Sequence, residues 1–272
     1  MDRGCVMSIL RFTVLGCGSS GGVPRLGGLW GACDPANPRN LRSRCSLLVE
    51  RITGDKTTRV LIDTSPDMRA QLLRENVGLL DGVVFTHAHA DHVHGIDDLR
   101  MIVFNRKSRL PVYADGPTSD ALISRFGYAF VQPEGSPYPP ILELNELADP
   151  TVIDGEGGEI SFRPFEVNHG AIDALGFVIG GLAYLPDVAR MNPAAWKAVE
   201  GLDVWMLDAL RYAPHPTHTH VEQSLEWIAK AAPKRAILTN MHIDVDYATV
   251  SAETPDHIDA AYDGMVIELP AP

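Results

Sequence analysis

His87-Ala88-His89-Ala90-Asp91-His92 places four potential metal ligands within six residues, directly after the apolar run Val83-Val84-Phe85. In extended backbone, side chains at i and i+2 point to the same side, so His87 and His89 can close on one ion. Asp91 and His92 follow at the turn into a helix, where adjacent residues diverge and can address a second ion. Imidazole with carboxylate suits zinc, manganese or iron, whereas magnesium and calcium favour oxygen-rich shells. A merely solvated His-rich loop has no need to alternate, to carry the Asp, or to follow a buried strand.

Outward from this loop, β segments are expected at 9–15, 46–52, 59–63 and 83–85, with a helix at 66–75 that has Pro66 in its first turn. A helix at 96–104, a strand at 111–114, a helix at 117–130 and a Pro-rich connection at 132–140 complete the first half. The second half offers strands at 160–167, 175–179, 182–185, 203–207, 235–239 and 265–269, with helices at 193–199 and 221–231. Two mixed halves with outer helices predict two sheets packed face to face, an α/β (α+β) fold in one domain spanning 1–272.

The ends of these strands carry further ligand types. Val167-Asn168-His169, Leu185-Pro186-Asp187, Asn240-Met241-His242 and Ile62-Asp63 each close a strand. One His or Asp at a strand end is ordinarily a cap. Four of them arriving with the His-Ala-His-Ala-Asp-His loop point to a shared site instead.

Composition sets outer limits. The chain has 272 residues, 45% apolar and 21% charged, which is ordinary for a globule. A net charge of −12 disfavours broad adhesion to nucleic acid or anionic membrane. The apolar run in the first twelve residues is too short for a secretory signal, and no stretch approaches a membrane span, so a cytoplasmic protein is expected. Cys5, Cys17, Cys33 and Cys45 lack CxxC spacing and read as free thiols.

With these residues in hand, the chain resembles the metallo-β-lactamase superfamily over nearly its whole length. The resemblance implies a four-layer αββα sandwich. It also implies that His87, His89 and His169 hold one divalent ion, that Asp91, His92 and His242 hold a second, and that Asp187 bridges them. Asp63 would sit behind the ligands and fix an imidazole by accepting its free N–H. The stretch Gly16-Cys17-Gly18-Ser19-Ser20-Gly21-Gly22-Val23-Pro24, with Trp30-Gly31-Ala32-Cys33 and Tyr262-Asp263-Gly264-Met265, resembles the PhnP-like phosphodiesterase branch. That branch carries a cysteine cluster and one more His for a structural zinc. Only Cys33 remains of the cluster and Val245 stands at the His position, so no structural zinc is expected and the loop should be held by packing. No long Gly- and Lys-rich arm of the ribonuclease Z kind is visible, so a large nucleic acid is not the expected partner.

Two divalent ions bring four positive charges; Asp91, Asp187 and a bridging hydroxide leave about one, which suits a phosphodiester monoanion. The segment 19–45 reads as a substrate flap, Gly- and Pro-rich, with Arg25, Arg39, Arg42 and Arg44 against Asp34 alone. Arg44 is the expected phosphate contact, with His218 as a further substrate contact. Thr219 and Glu222 have capping-box spacing, which would put His220 in the first turn of the following helix. By the resemblance, His220 assists the leaving group. The implied chemistry is phosphodiester hydrolysis of a small nucleotide or cyclic phosphate, with two ions (Zn or Mn) activating a bridging water and Asp91 orienting it. A thioester or lactam hydrolase of the same fold, or a nonhydrolytic PqqB-like binding protein, are the alternatives. The sequence leaves a homodimer open.

Overall fold

A computed structural model of the protein describes residues 7–132 and 134–272; Cys5 lies outside them. In chain order the first half contains β1 (Ser8–Gly16), β2 (Ser46–Thr53), β3 (Lys56–Ile62), α1 (Met68–Arg74), β4 (Gly82–Val84) and α2 (Ala90–Val93). It continues with α3 (Leu99–Arg106), β5 (Leu110–Ala114), α4 (Gly116–Phe130), β6 (Leu142–Glu146) and β7 (Thr151–Ile153). The second half contains β8 (Ile160–His169), β9 (Ile172–Ile179), β10 (Leu182–Leu185), α5 (Pro193–Ala198), β11 (Val204–Asp208) and α6 (Val221–Ala231). It closes with β12 (Arg235–Thr239), α7 (Tyr247–Glu253), β13 (Ile258–Ala260) and β14 (Val266–Pro270).

Two seven-stranded sheets result, ordered β14-β1-β2-β3-β4-β5-β6 and β13-β12-β11-β10-β9-β8-β7. The period of two explains why they face one another. Phe12, Val14, Leu47, Val49, Val60, Ile62 and Val84 point into one core, where they meet Phe162, Phe177, Ile179 and Leu185 of the second sheet. Their neighbours Leu15, Leu48, Leu61 and Val83 point the other way, onto Met68, Leu72, Leu99, Ile102 and Leu122 of α1, α3 and α4. A strand buried on both faces must therefore be apolar nearly throughout, as Leu47-Leu48-Val49 and Leu182-Ala183-Tyr184-Leu185 are. The expected αββα sandwich is the observed architecture.

Strands β3 to β6 run parallel, as do β10 to β13. Their carboxyl ends reach the same edge of the sandwich, where loops of open α/β sheets hold ligands. Four elements lie outside the expected set. β7 and β13 have three residues each, too few to display a period, and β6 (Leu-Glu-Leu-Asn-Glu) buries only its first residue. α7 carries the β-branched Thr249 and Val250 and buries Val250 alone, which hides its helical pattern. Among the described residues no helix is long and apolar enough to cross a membrane.

Candidate metal centre

At the carboxyl end of β3, Asp63 takes a left-handed backbone (φ 63°) that Asp tolerates better than most residues. Its fully buried carboxylate accepts from Thr86 N and Thr86 Oγ1, each at 2.8 Å, and from His92 Nδ1 at 2.7 Å. Burial pushes this carboxyl up, against the downward pull of His92 and those hydrogen bonds. Thr86 has one hydroxyl proton and gives it to Asp63, so at 2.9 Å His87 Nδ1 must be the donor to Thr86 Oγ1. His169 Nδ1 likewise donates to the Thr217 carbonyl at 2.7 Å. Three imidazoles thus carry their proton on Nδ1 and turn Nε2 toward one centre.

That centre is lined with bare acceptors. His87 Nε2 is buried with no hydrogen-bond partner, and burial drives its imidazole well below its ordinary value, to the neutral form. Asp187 Oδ2 is also buried; it lies 2.8 Å from His92 Nε2 without hydrogen-bond geometry. Burial raises the Asp187 carboxyl, but His92, His87 and His218 outweigh this and hold it ionised. The ligand atoms of His87, His89 and His169 lie within 4.8 Å of one another, as do those of His87, His92 and Asp187. Burial lowers His87, His89 and His169 toward the neutral form, whereas His92, lowered by burial, is raised well above its ordinary value by Asp187 and Asp63; imidazoles and a carboxylate gathered in this way fit divalent ions of the zinc or manganese type.

The remaining expected ligands flank this cluster. Asp91 Oδ2 is 3.6 Å from His92 Nε2 and faces a cavity of about 350 Å³. His242 lines the same cavity; its Nδ1 is 3.0 Å from Asp244 Oδ2 and its Nε2 meets Arg25 Nη2. The structure therefore gathers His87, His89, His92, His169 and Asp187 tightly, with Asp91 and His242 at the rim.

Three readings of the surrounding residues need correction. Thr219 does not cap α6, because its hydroxyl donates to the Asp208 carbonyl at 2.7 Å. His220 is itself the capping residue, accepts Ser224 N through its own carbonyl, and is not among the residues lining the cavity. The imidazole that enters is His218, whose Nδ1 is 2.9 Å from Asp208 Oδ2 and 3.3 Å from Asp187 Oδ1. Burial lowers its pKa, but Asp208 more than compensates and lifts it to about 9. Arg44 pairs with Asp67 at 2.6 Å and is not among the cavity-lining residues; Arg25 takes that place.

The β1–β2 connection is also held differently from expectation. Rather than packing alone, a buried guanidinium pins it: Arg42 Nη1 donates to Val245 O at 2.7 Å and Nη2 to Asn40 Oδ1 at 3.2 Å. Cys33 Sγ lies 3.9 Å from Arg42 Nη1 and donates to the carbonyls of Ile243 and Val245. Asp246 adds a carboxylate that accepts from Asp34 N at 3.1 Å and Asn40 Nδ2 at 2.7 Å. Asp208 and Asn240 were missed from sequence. Asn240 Nδ2 bridges Asp187 Oδ1 (3.2 Å) and Asp208 Oδ1 (3.1 Å). Asp208 ends β11 and obeys the strand-end rule that found Asp63, so the signal was present; Asn240 is not a ligand type and gave none.

Residues 58–243 match the family described as the beta-lactamase superfamily domain. A solved structure described as a new diphosphatase from the PhnP family is 34% identical, with a TM-score of 0.84, covering 97% of this chain and 99% of that one. An octanoyltransferase of Porphyromonas gingivalis is 33% identical over 260 residues, 94% of this chain and 51% of that protein. A ribonuclease Z of Bradyrhizobium diazoefficiens is 33% identical over 156 residues, 55% of this chain and 49% of that protein. The chain thus spans about half the length of the curated relatives it matches.

Proposed function

The chain belongs to the metallo-β-lactamase superfamily, in its PhnP-like branch, and on that footing we propose that it is a metal-dependent hydrolase of small phosphoesters, acting with two divalent ions, zinc or manganese. The reading is supported most by the three imidazoles whose Nδ1 protons are committed elsewhere, so that Nε2 of His87, His92 and His169 converges beside Asp187. His87, His89 and His169 would hold one ion and Asp91, His92 and His242 the other, with Asp187 shared. Bound there, the ions would act as Lewis acids on a phosphoryl oxygen and lower the pKa of water.

The chain's own residues do the rest. Asp91 faces the cavity from the start of α2, where it can orient the attacking water through a hydrogen bond. His218, steered by Asp208 and Asp187, holds a proton at the cavity wall and takes the role first read for His220: donation to the departing oxygen. Ser19 and Ser20 also line the cavity. The neighbours named as a diphosphatase and a ribonuclease Z both act on phosphorus–oxygen bonds. Acyl transfer, suggested by the name of the octanoyltransferase relative, finds no support among the described residues, where Cys17, Cys33 and Cys45 are buried and burial raises each thiol.

The substrate proposed is a small anionic phosphodiester or nucleotide, processed by residues 1–272 as one cytoplasmic domain. Parallel assays with bis(p-nitrophenyl) phosphate, a 2′,3′-cyclic nucleotide, a glutathione thioester and a cephalosporin test it, alongside metal analysis. Cleavage of the phosphodiesters with two ions per chain is expected. Preferential thioester or lactam cleavage, or one ion at most, would overturn it.

A further inference from the structure

We infer that Arg25, Arg211 and His215 form a second anion subsite beside the metal centre, which selects phosphoanhydride substrates, such as nucleoside diphosphates, over plain phosphodiesters. The subsite rests on the hydrolase reading above and names its substrate class.

Of the four arginines in the β1–β2 connection, three are committed to structure. Arg42 and Arg44 are bound as described, and Arg39 donates to Tyr247 Oη at 2.7 Å and stacks 4.7 Å from the Tyr262 ring. Arg25 alone turns into the cavity, and among the described residues no carboxylate pairs with it. Its backbone is fixed by a tight turn: Arg25 N donates to Leu29 O at 2.9 Å and Gly28 N to Arg25 O at 3.0 Å. Gly21 leaves the slot for its side chain, since a Cβ there would stand 3.1 Å from Arg25 Nε.

Arg211 lines the same cavity from the segment after β11. Its Nε and Nη2 are tied to the carbonyls of Ala213 (3.1 Å) and Pro214 (2.8 Å), so the guanidinium keeps its charge in place and has Nη1 to offer. His215 Nδ1 accepts the Thr217 N–H at 3.3 Å, which puts its own proton on Nε2, a third donor at the cavity. Arg25, Arg211 and His215 therefore bring donors from three side chains to the cavity beside the metal centre.

Charge adds to this. A centre of about +1 with two guanidinium groups reaches about +3, whereas a phosphodiester supplies a single negative charge. A nucleoside diphosphate carries about three, one on its inner phosphoryl and nearly two on its terminal group. Proximity favours an adjacent phosphoryl group. Arg25 touches His242, at the rim of the metal centre, so a phosphoryl group that it held would be a near neighbour of one bound at that centre. In the step, the water oxygen bonds to the inner phosphorus and the bond from that phosphorus to the bridging oxygen breaks. The electron pair leaves on the terminal phosphate. One water proton goes with that phosphate and the other is released.

Calorimetric titration of the metal-loaded protein with adenosine monophosphate and with α,β-methylene-ADP, whose P–C–P link resists hydrolysis, reads the subsite without turnover. Wild-type protein should prefer the methylene compound by roughly tenfold or more, as charge-assisted bonds to a second phosphoryl imply. Arg25→Met should reduce that preference to about threefold or less, and Arg211→Met in part. Equal binding of the two probes by wild type, or a preference that survives both substitutions, as simple chelation by the probe would give, overturns the subsite. If Arg25→Met does not fold, the wild-type ratio and Arg211→Met still decide. Failure of the metal-loaded protein to cleave bis(p-nitrophenyl) phosphate would instead strike the hydrolase reading, and the titration would remain a separate result.

Discussion

Replacing Asp246 by Ala should loosen the β1–β2 connection that carries Arg25. The Asp246 carboxylate accepts four hydrogen bonds: Thr249 N at 2.9 Å and Thr249 Oγ1 at 3.0 Å at the start of α7, and Asp34 N at 3.1 Å and Asn40 Nδ2 at 2.7 Å from the connection. Loss of the helix cap costs about 1 kcal/mol. The two bonds to the connection add about 1 kcal/mol each at most. Titration offers a second measure. Burial pushes the Asp246 carboxyl up, but those N–H groups outweigh it and hold it at about 2, against an ordinary 3.8. A depression of that size corresponds to about 2 kcal/mol in favour of the fold.

The two figures agree, so thermal unfolding at pH 7 should show Asp246→Ala melting about 4–8 °C below wild type. The sign with pH follows from a carboxyl whose folded pKa is depressed. Its stabilisation is complete above the unfolded pKa, falls to about half near pH 3, and is gone below about pH 2. The gap between wild type and variant should therefore be constant from pH 7 to 5 and close on acidification. A loss below about 0.5 kcal/mol at pH 7, or a gap indifferent to acid, would refute the claim that this carboxylate anchors the connection. Because the connection presents Arg25, KM should rise more than kcat falls.

Asp63→Asn should weaken metal binding about 10–100-fold, since the carboxylate that fixes His92 through Nδ1 is lost; competition with a chromogenic chelator measures it. His218→Ala should lower turnover of bis(p-nitrophenyl) phosphate by about 10²–10⁴, and His220→Ala should lower it far less; the reverse order would restore the reading taken from the sequence. His218 holds its proton to about 9, so turnover that needs this proton should persist through neutrality and decline as pH rises through about 9. Its share of fold stability has the same sign, present below the unfolded value and lost through about 9. Phe177→Ala should cost about 3–5 kcal/mol in urea unfolding, because its ring is fully buried between the sheets, 6.1 Å from Phe162.

Much of the candidate site was legible because each candidate ligand obeys a local rule. His87 and His89 alternate in extended backbone, and Asp63, His169, Asp187 and His242 each sit where a strand ends. Both are properties of a few consecutive residues, visible without any partner. Apolar runs bounded by turns likewise marked eleven strands, while β6, β7 and β13 were too short or too polar to show a period.

Partner choice was not legible, since it depends on which loops meet across the edge of the sandwich. Arg25, Arg39, Arg42 and Arg44 are chemically alike in sequence. Only the fold sends Arg42 to Val245, Arg44 to Asp67 and Arg39 to Tyr247, and leaves Arg25 facing the cavity. The same holds for the histidines before α6. Thr219 has capping-box spacing with Glu222, yet its hydroxyl goes to the carbonyl of Asp208, and this turns His218 rather than His220 inward. The sequence by itself determined the fold and the candidate ligands, because strand periodicity and ligand type are local. The tertiary structure decided which cation and which imidazole face the cavity, because a hydrogen bond between distant loops exists only once both are in place.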